Sequence, residues 1–69
     1  MSAKDIQIGG DHYRRYAIQP ADFIHDNRIP WLEGNVIKYV VRHRDKNGLE
    51  DLKKARHYLD MLIEKEYGA

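Results

Sequence analysis

Two stretches of helical apolar period, separated by the turn cluster Asp45-Lys46-Asn47-Gly48, constrain this chain more than any other feature. In the first, Val36, Ile37, Val40 and Val41 recur at i, i+1, i+4 and i+5. At about 100° per residue they make one stripe. Asn35, Lys38, Tyr39 and Arg42 gather on the opposite face. In the second stretch Leu49, Leu52, Ala55, Leu59, Leu62 and Ile63 form an apolar stripe. The spacing predicts helices over 30–44 and 48–67, joined as an antiparallel hairpin because the connection is short. A Val/Ile run also suits a buried strand, but length and a two-faced pattern favour helix. Asn47 followed by Glu50 is a capping-box pattern, Glu50 and Lys54 form an i,i+4 charge pair, and Gly68 suits a helix end.

Upstream, Pro20 fits the first position of a helix and Asp22 complements its positive end, giving a short helix over 20–28. Its apolar residues Ala21, Phe23 and Ile24 are too few to hold it alone, so it must pack on something larger. Residues 1–19 carry an extended run around Ile6 and Ile8, a turn signal at Gly9-Gly10 and then Asp11-His12-Tyr13-Arg14-Arg15-Tyr16. They are expected to form an ordered N-terminal arm. The fold class is therefore mainly α: a single small helical domain spanning 1–69.

A chain of 69 residues buries only about 60% of the surface its unfolded form exposes. Without cysteine it has neither disulfide nor thiolate zinc site as a staple. Homo-oligomerisation is the expected remedy. A formal net charge of +1 lacks the one-sided field of a general nucleic-acid binder, so any anion site must be local. The N-terminus has no apolar segment of signal-peptide type and no apolar run approaches about 18 residues, which places the protein in the cytoplasm and off the membrane.

The main site candidate is the face of Asn35, Lys38, Tyr39 and Arg42. Lys and Arg neutralise phosphate oxygens, Tyr stacks on a base and Asn pairs with its edge. A second group, Asp51, Lys54 and Tyr58, lies on one flank of the last helix, where Asp51 could orient Lys54 or Arg42 or act as a base. The bland alternatives are a solvated helix face and screened surface pairs worth about 0–1 kcal/mol. His12 and Tyr13 stand in a segment too polar for a core, where an imidazole could contact phosphate or exchange a proton. Arg14 and Arg15 beside Tyr13 and Tyr16 are a weak nucleic-acid signal. Trp31 reads as a packing residue. No P-loop motif is present, the histidines lack zinc-ligand spacing, and Glu50-Asp51 is too thin for a two-metal site, so no metal is assigned.

His12-Tyr13, Gln19-Pro20, Gly34-Asn35-x-Ile37-Lys38-Tyr39-x-x-Arg42, Lys46 and Glu50-Asp51-Leu52-x-Lys54-Ala55-x-x-Tyr58-Leu59 together resemble a small phage domain. It is the SaV-like domain of unknown function that also occurs in a phage nucleotide kinase. The resemblance spans about residues 11–64. It implies a helical fold and nucleotide binding, with kinase members that transfer phosphate between nucleotides without a P-loop. Carried over by position, the matched polar residues are His12, Tyr13, Asn35, Lys38, Tyr39, Arg42, Lys46, Asp51 and Lys54. Their chemistry makes Asp51 and His12 the candidates for handling a proton and the other seven the candidates for binding the nucleotide. A nucleoside triphosphate would then be the phosphate donor.

Three functions compete. The first is a nucleotide-binding protein related to the kinases, with phosphoryl transfer resting on positioning and charge neutralisation. The second is a non-enzymatic phage anti-defence protein that sequesters a nucleotide or cyclic nucleotide signal, or binds a host protein. The third, a helical nucleic-acid-binding module, is disfavoured by the near-neutral charge.

Overall fold

A computed structural model of the chain describes residues 16–69. Among them lie three α-helices, α1 (Pro20–Asp26), α2 (Trp31–Arg42) and α3 (Leu49–Tyr67), with a 3-10 turn at His43–Asp45 after α2. The protein is thus mainly helical, as the periodicity predicts. No helix among the described residues is long and apolar enough to cross a membrane. Most of the expected N-terminal arm, including the run around Ile6 and Ile8, lies outside the described residues. Tyr16, at their start, donates its hydroxyl to the Val41 carbonyl at 3.2 Å and to an Asp45 carboxylate oxygen at 3.4 Å. That ties the segment just before α1 to the far end of α2.

Helix α1 follows extended Gln19 and begins at Pro20, whose missing N–H leaves no orphan donor. It closes on a Schellman-type pair, with Arg28 N–H donating to His25 O and Ile29 N–H to Ile24 O, each at 3.0 Å. Arg28 occupies the reversal position with φ 54°, where glycine is usual. The chain then enters α2 through Pro30. Gly34 on α2 is buried against α1, and a Cβ there would lie 3.0 Å from Ile24 Cγ2. Glycine therefore sets how closely the two helices approach.

The turn into α3 hinges on Gly48, with φ 55° and ψ −122°, a conformation open to glycine and strained for other residues. Gly48, not Asn47, is the N-cap, and no side chain caps the helix. The capping box expected from Asn47 and Glu50 is replaced by a different lock: Asp51 accepts the Asn47 backbone N–H at 3.2 Å. At the other end Gly68 adopts the left-handed conformation and donates its N–H to Glu64 O at 2.9 Å.

The packed faces differ from those the apolar stripes predict. On α2 the side turned toward α3 carries Trp31, Tyr39 and Arg42, as their contacts with Tyr58 and Asp51 show. Of the expected apolar stripe Val36 and Ile37 are half-buried, while Val40 and Val41 are 44% and 36% exposed. On α3 the inward line runs through Asp51, Ala55, Tyr58 and Leu62, while Leu49, Leu52, Leu59 and Ile63 of the expected core stripe are exposed. The reason lies in the pairing partners. A stacked Tyr39–Tyr58 pair and an Arg42–Asp51 ion pair fix the rotation of the two helices, and the aliphatic residues take the positions that remain.

Candidate functional site

The α2–α3 contact is built around Tyr39. Its ring stacks on Tyr58 with centroids 5.7 Å apart and planes 11° from parallel. Trp31 meets Tyr58 edge-on at 5.5 Å and 83°. Three cations converge on Tyr39: Lys38 Nζ and the Arg42 guanidinium carbon each lie 4.6 Å from its centroid, and Lys54 Nζ lies 5.5 Å away. The i, i+3, i+4 and i+7 spacing predicted this grouping on α2, and the hairpin brings Lys54 to it from α3. The expected Glu50–Lys54 pair is not formed, because Lys54 turns toward the ring instead.

Behind the cations stands Asp51, which is fully buried. Its Oδ1 faces Arg42 Nη2 at 3.3 Å and the Asn47 side-chain amide at 3.4 Å, and its Oδ2 accepts the Asn47 backbone N–H. Burial pushes the carboxyl upward, but the Asn47 backbone N–H, the Arg42 guanidinium and the Asn47 amide together outweigh it. Asp51 is therefore held below its ordinary value and stays ionised. Of the two roles considered for it, the geometry shows the orienting contact, to Arg42 rather than Lys54.

The charge balance around Tyr39 is uneven. Arg42 shares Asp51, whereas no carboxylate of the described residues lies within ion-pair distance of Lys38 or Lys54. Cation–π contact is worth about 0.5–1 kcal/mol at such sites and does not neutralise charge.

The remaining predicted residues fall elsewhere. Asn35 donates its amide to its own helix, at Trp31 O, 2.7 Å away. Lys46 is exposed in the turn before α3 and does not join the cluster. Trp31, expected as a packing residue, is 68% exposed beyond its contact with Tyr58. His12, Tyr13, Arg14 and Arg15 lie outside the described residues. Among those described, no group of three or more His, Asp or Glu side chains is placed to hold a metal ion.

Sequence reasoning did not single out a small apolar cleft of about 110 Å³ between α1 and α2, lined by Gln19, Pro20, Ala21, Ile24 and Lys38. The dipeptide Gln19-Pro20 belongs to the recognised motif, but nothing in its local sequence marks a cleft.

Neither the curated proteins nor the solved structures compared with the chain include a match. A family model described as a protein of unknown function, DUF3310, matches residues 9–60. That span takes in α1, α2, the turn and most of α3, with every described residue of the cation cluster. The chain belongs to the DUF3310 family.

Proposed function

We propose that this protein binds a nucleotide, gripping its phosphates at Lys38, Arg42 and Lys54 around Tyr39. The observation that carries this reading is the convergence of three cations on one ring with a single buried carboxylate behind them. Arg42 has Asp51 beside it, but Lys38 and Lys54 have no carboxylate among the described residues within ion-pair distance, and a phosphate chain would relieve the repulsion of the gathered charges. Asp51 serves by holding Arg42 and the Asn47–Gly48 turn. With its oxygens engaged by the donors around it, it is a poor acceptor for a substrate proton.

The phage setting and the kinase activity come from the sequence resemblance alone. Phosphoryl transfer rests mainly on positioning and charge neutralisation, which a cluster of this kind supplies. The geometry favours binding over turnover, since the proton-accepting candidate it contains is tied to neighbours.

A thermal-shift screen against nucleoside mono-, di- and triphosphates and cyclic dinucleotides tests the reading. A ligand at 100 times its dissociation constant stabilises the fold by about 2.7 kcal/mol. The shift should grow from mono- to triphosphate and fall in Lys38→Ala and Lys54→Ala. No shift with any nucleotide rejects the proposal. Product formed from a monophosphate and a triphosphate donor would extend binding to phosphoryl transfer; stoichiometric binding without product would keep it at binding.

A further inference from the structure

We infer that the cleft between α1 and α2 holds the heterocyclic base of the nucleotide whose phosphates sit at the cation cluster, with Gln19 reading its edge. The inference rests on the phosphate site proposed above and adds where the rest of the ligand lies. Tyr39 and Tyr13 are the base platforms that the sequence offers; Tyr13 lies outside the described residues, and the Tyr39 ring is already stacked on Tyr58 and crowded by three cations. The base therefore needs another surface.

Lys38 supplies the link. It lines the cleft with Gln19, Pro20, Ala21 and Ile24, and its ammonium reaches to 4.6 Å from the Tyr39 centroid. Cleft and cluster are thus separated by one lysine side chain, the kind of distance a sugar spans between base and phosphate. The volume, about 110 Å³, is on the scale of an apolar cavity that takes one benzene ring, roughly 150 Å³. An open cleft of this size accepts one ring of a base and leaves the sugar outside.

The chemistry of the walls agrees. Pro20, Ala21 and Ile24 give apolar contact to ring faces, and Gln19 stands at the rim. Gln19 precedes α1 and makes no side-chain capping bond, so helix capping does not claim its amide, which carries both a donor and an acceptor. The close packing of Gly34 on Ile24 sets one wall of the cleft rigidly. The cleft is apolar, and the charged groups lie beyond it.

Calorimetric titration of the full chain with UTP, ATP and inorganic triphosphate tests the inference, using Ala21→Phe to fill the cleft and Gln19→Ala to remove the edge contact. Burial of a ring against Pro20, Ala21 and Ile24, with one edge hydrogen bond, is expected to make at least one nucleotide bind roughly tenfold more tightly than inorganic triphosphate. Ala21→Phe should bring nucleotide affinity down to the triphosphate level and leave triphosphate binding unchanged. Gln19→Ala should lower nucleotide affinity severalfold and shift the UTP/ATP ratio, and it remains informative if the bulkier variant misfolds by circular dichroism. Equal affinity for nucleotides and inorganic triphosphate in the wild type would overturn the cleft and leave the phosphate site standing. So would nucleotide affinities that neither variant changes. If the wild type binds none of the three, the phosphate site fails and the cleft falls with it.

Discussion

Replacing Asp51 with Asn keeps the side chain's shape and removes its charge, so the loss measures the buried junction of α2, α3 and their turn. The carboxylate accepts from three donors: Arg42 at 3.3 Å, the Asn47 backbone N–H at 3.2 Å and the Asn47 amide at 3.4 Å. An amide offers one acceptor and one donor group in the same space. Either it turns NH2 toward the Asn47 backbone, setting donor against donor, or it turns NH2 toward Arg42 and the Asn47 side chain. At least one bond is lost, at about 1 kcal/mol net, and a donor is left facing another, at about 1–3 kcal/mol. The bonds are long, so the lower part of the range applies and about 2 kcal/mol is expected. For a domain of this size that is roughly 8–16 °C in Tm. Thermal unfolding followed by circular dichroism at neutral pH reads it directly.

The pH dependence has a definite sign. Because folded Asp51 sits below its ordinary value, its ionised form contributes stability that is fully present above the unfolded value of about 3.9. That contribution is lost as pH falls through the lower folded value. The gap between wild type and Asp51→Asn should stay level from pH 7 to about pH 5 and close below about pH 4. A loss under about 0.5 kcal/mol, or a gap that widens in acid, would refute the buried junction.

Other predictions follow from backbone and packing. Gly48→Ala should destabilise by about 1–3 kcal/mol in urea titration, because φ 55° with ψ −122° is open to glycine and strained for alanine. Gly34→Val should cost about 1–3 kcal/mol by driving a side chain into Ile24, and Ile24→Ala in the same chain should recover part of it. Arg28→Gly should raise stability by about 0.5 kcal/mol in the same assay, since relief of the left-handed conformation at φ 54° slightly exceeds the added entropy of the unfolded chain.

Helix identity was legible because breaks and apolar period survive any rotation of one helix against another. Pro20 and Gly68 mark ends that the structure keeps, while the cap of α3 moves one residue, from the expected Asn47 to Gly48. Which face turns inward was not legible. Sequence patterning counts Tyr39, Arg42 and Asp51 as polar and sends them to solvent, but two aromatic rings and a buried ion pair outcompete valines for the interhelix space. The contact of Asp51 with Arg42 was legible as one of the roles weighed for that carboxylate, whereas the donors that Asn47 supplies from the turn were not. The cation cluster was half visible, because α2 spacing groups Lys38 and Arg42 while Lys54 joins only through the hairpin. The cleft was invisible, since it arises from the packing of α1 on Gly34, and local spacing carries no trace of that approach.

The central claim is that Lys38, Arg42 and Lys54 act as one phosphate site, and the most direct measurement is isothermal calorimetry of a nucleoside triphosphate with wild type, Lys38→Ala, Lys54→Ala and the distant control Lys65→Ala. Binding should be saturable and weaken at least about tenfold in each cluster variant, as loss of a charge-assisted phosphate contact should, with Lys65→Ala unchanged. Binding that falls equally in Lys65→Ala, or that survives loss of both Lys38 and Lys54, would contradict it.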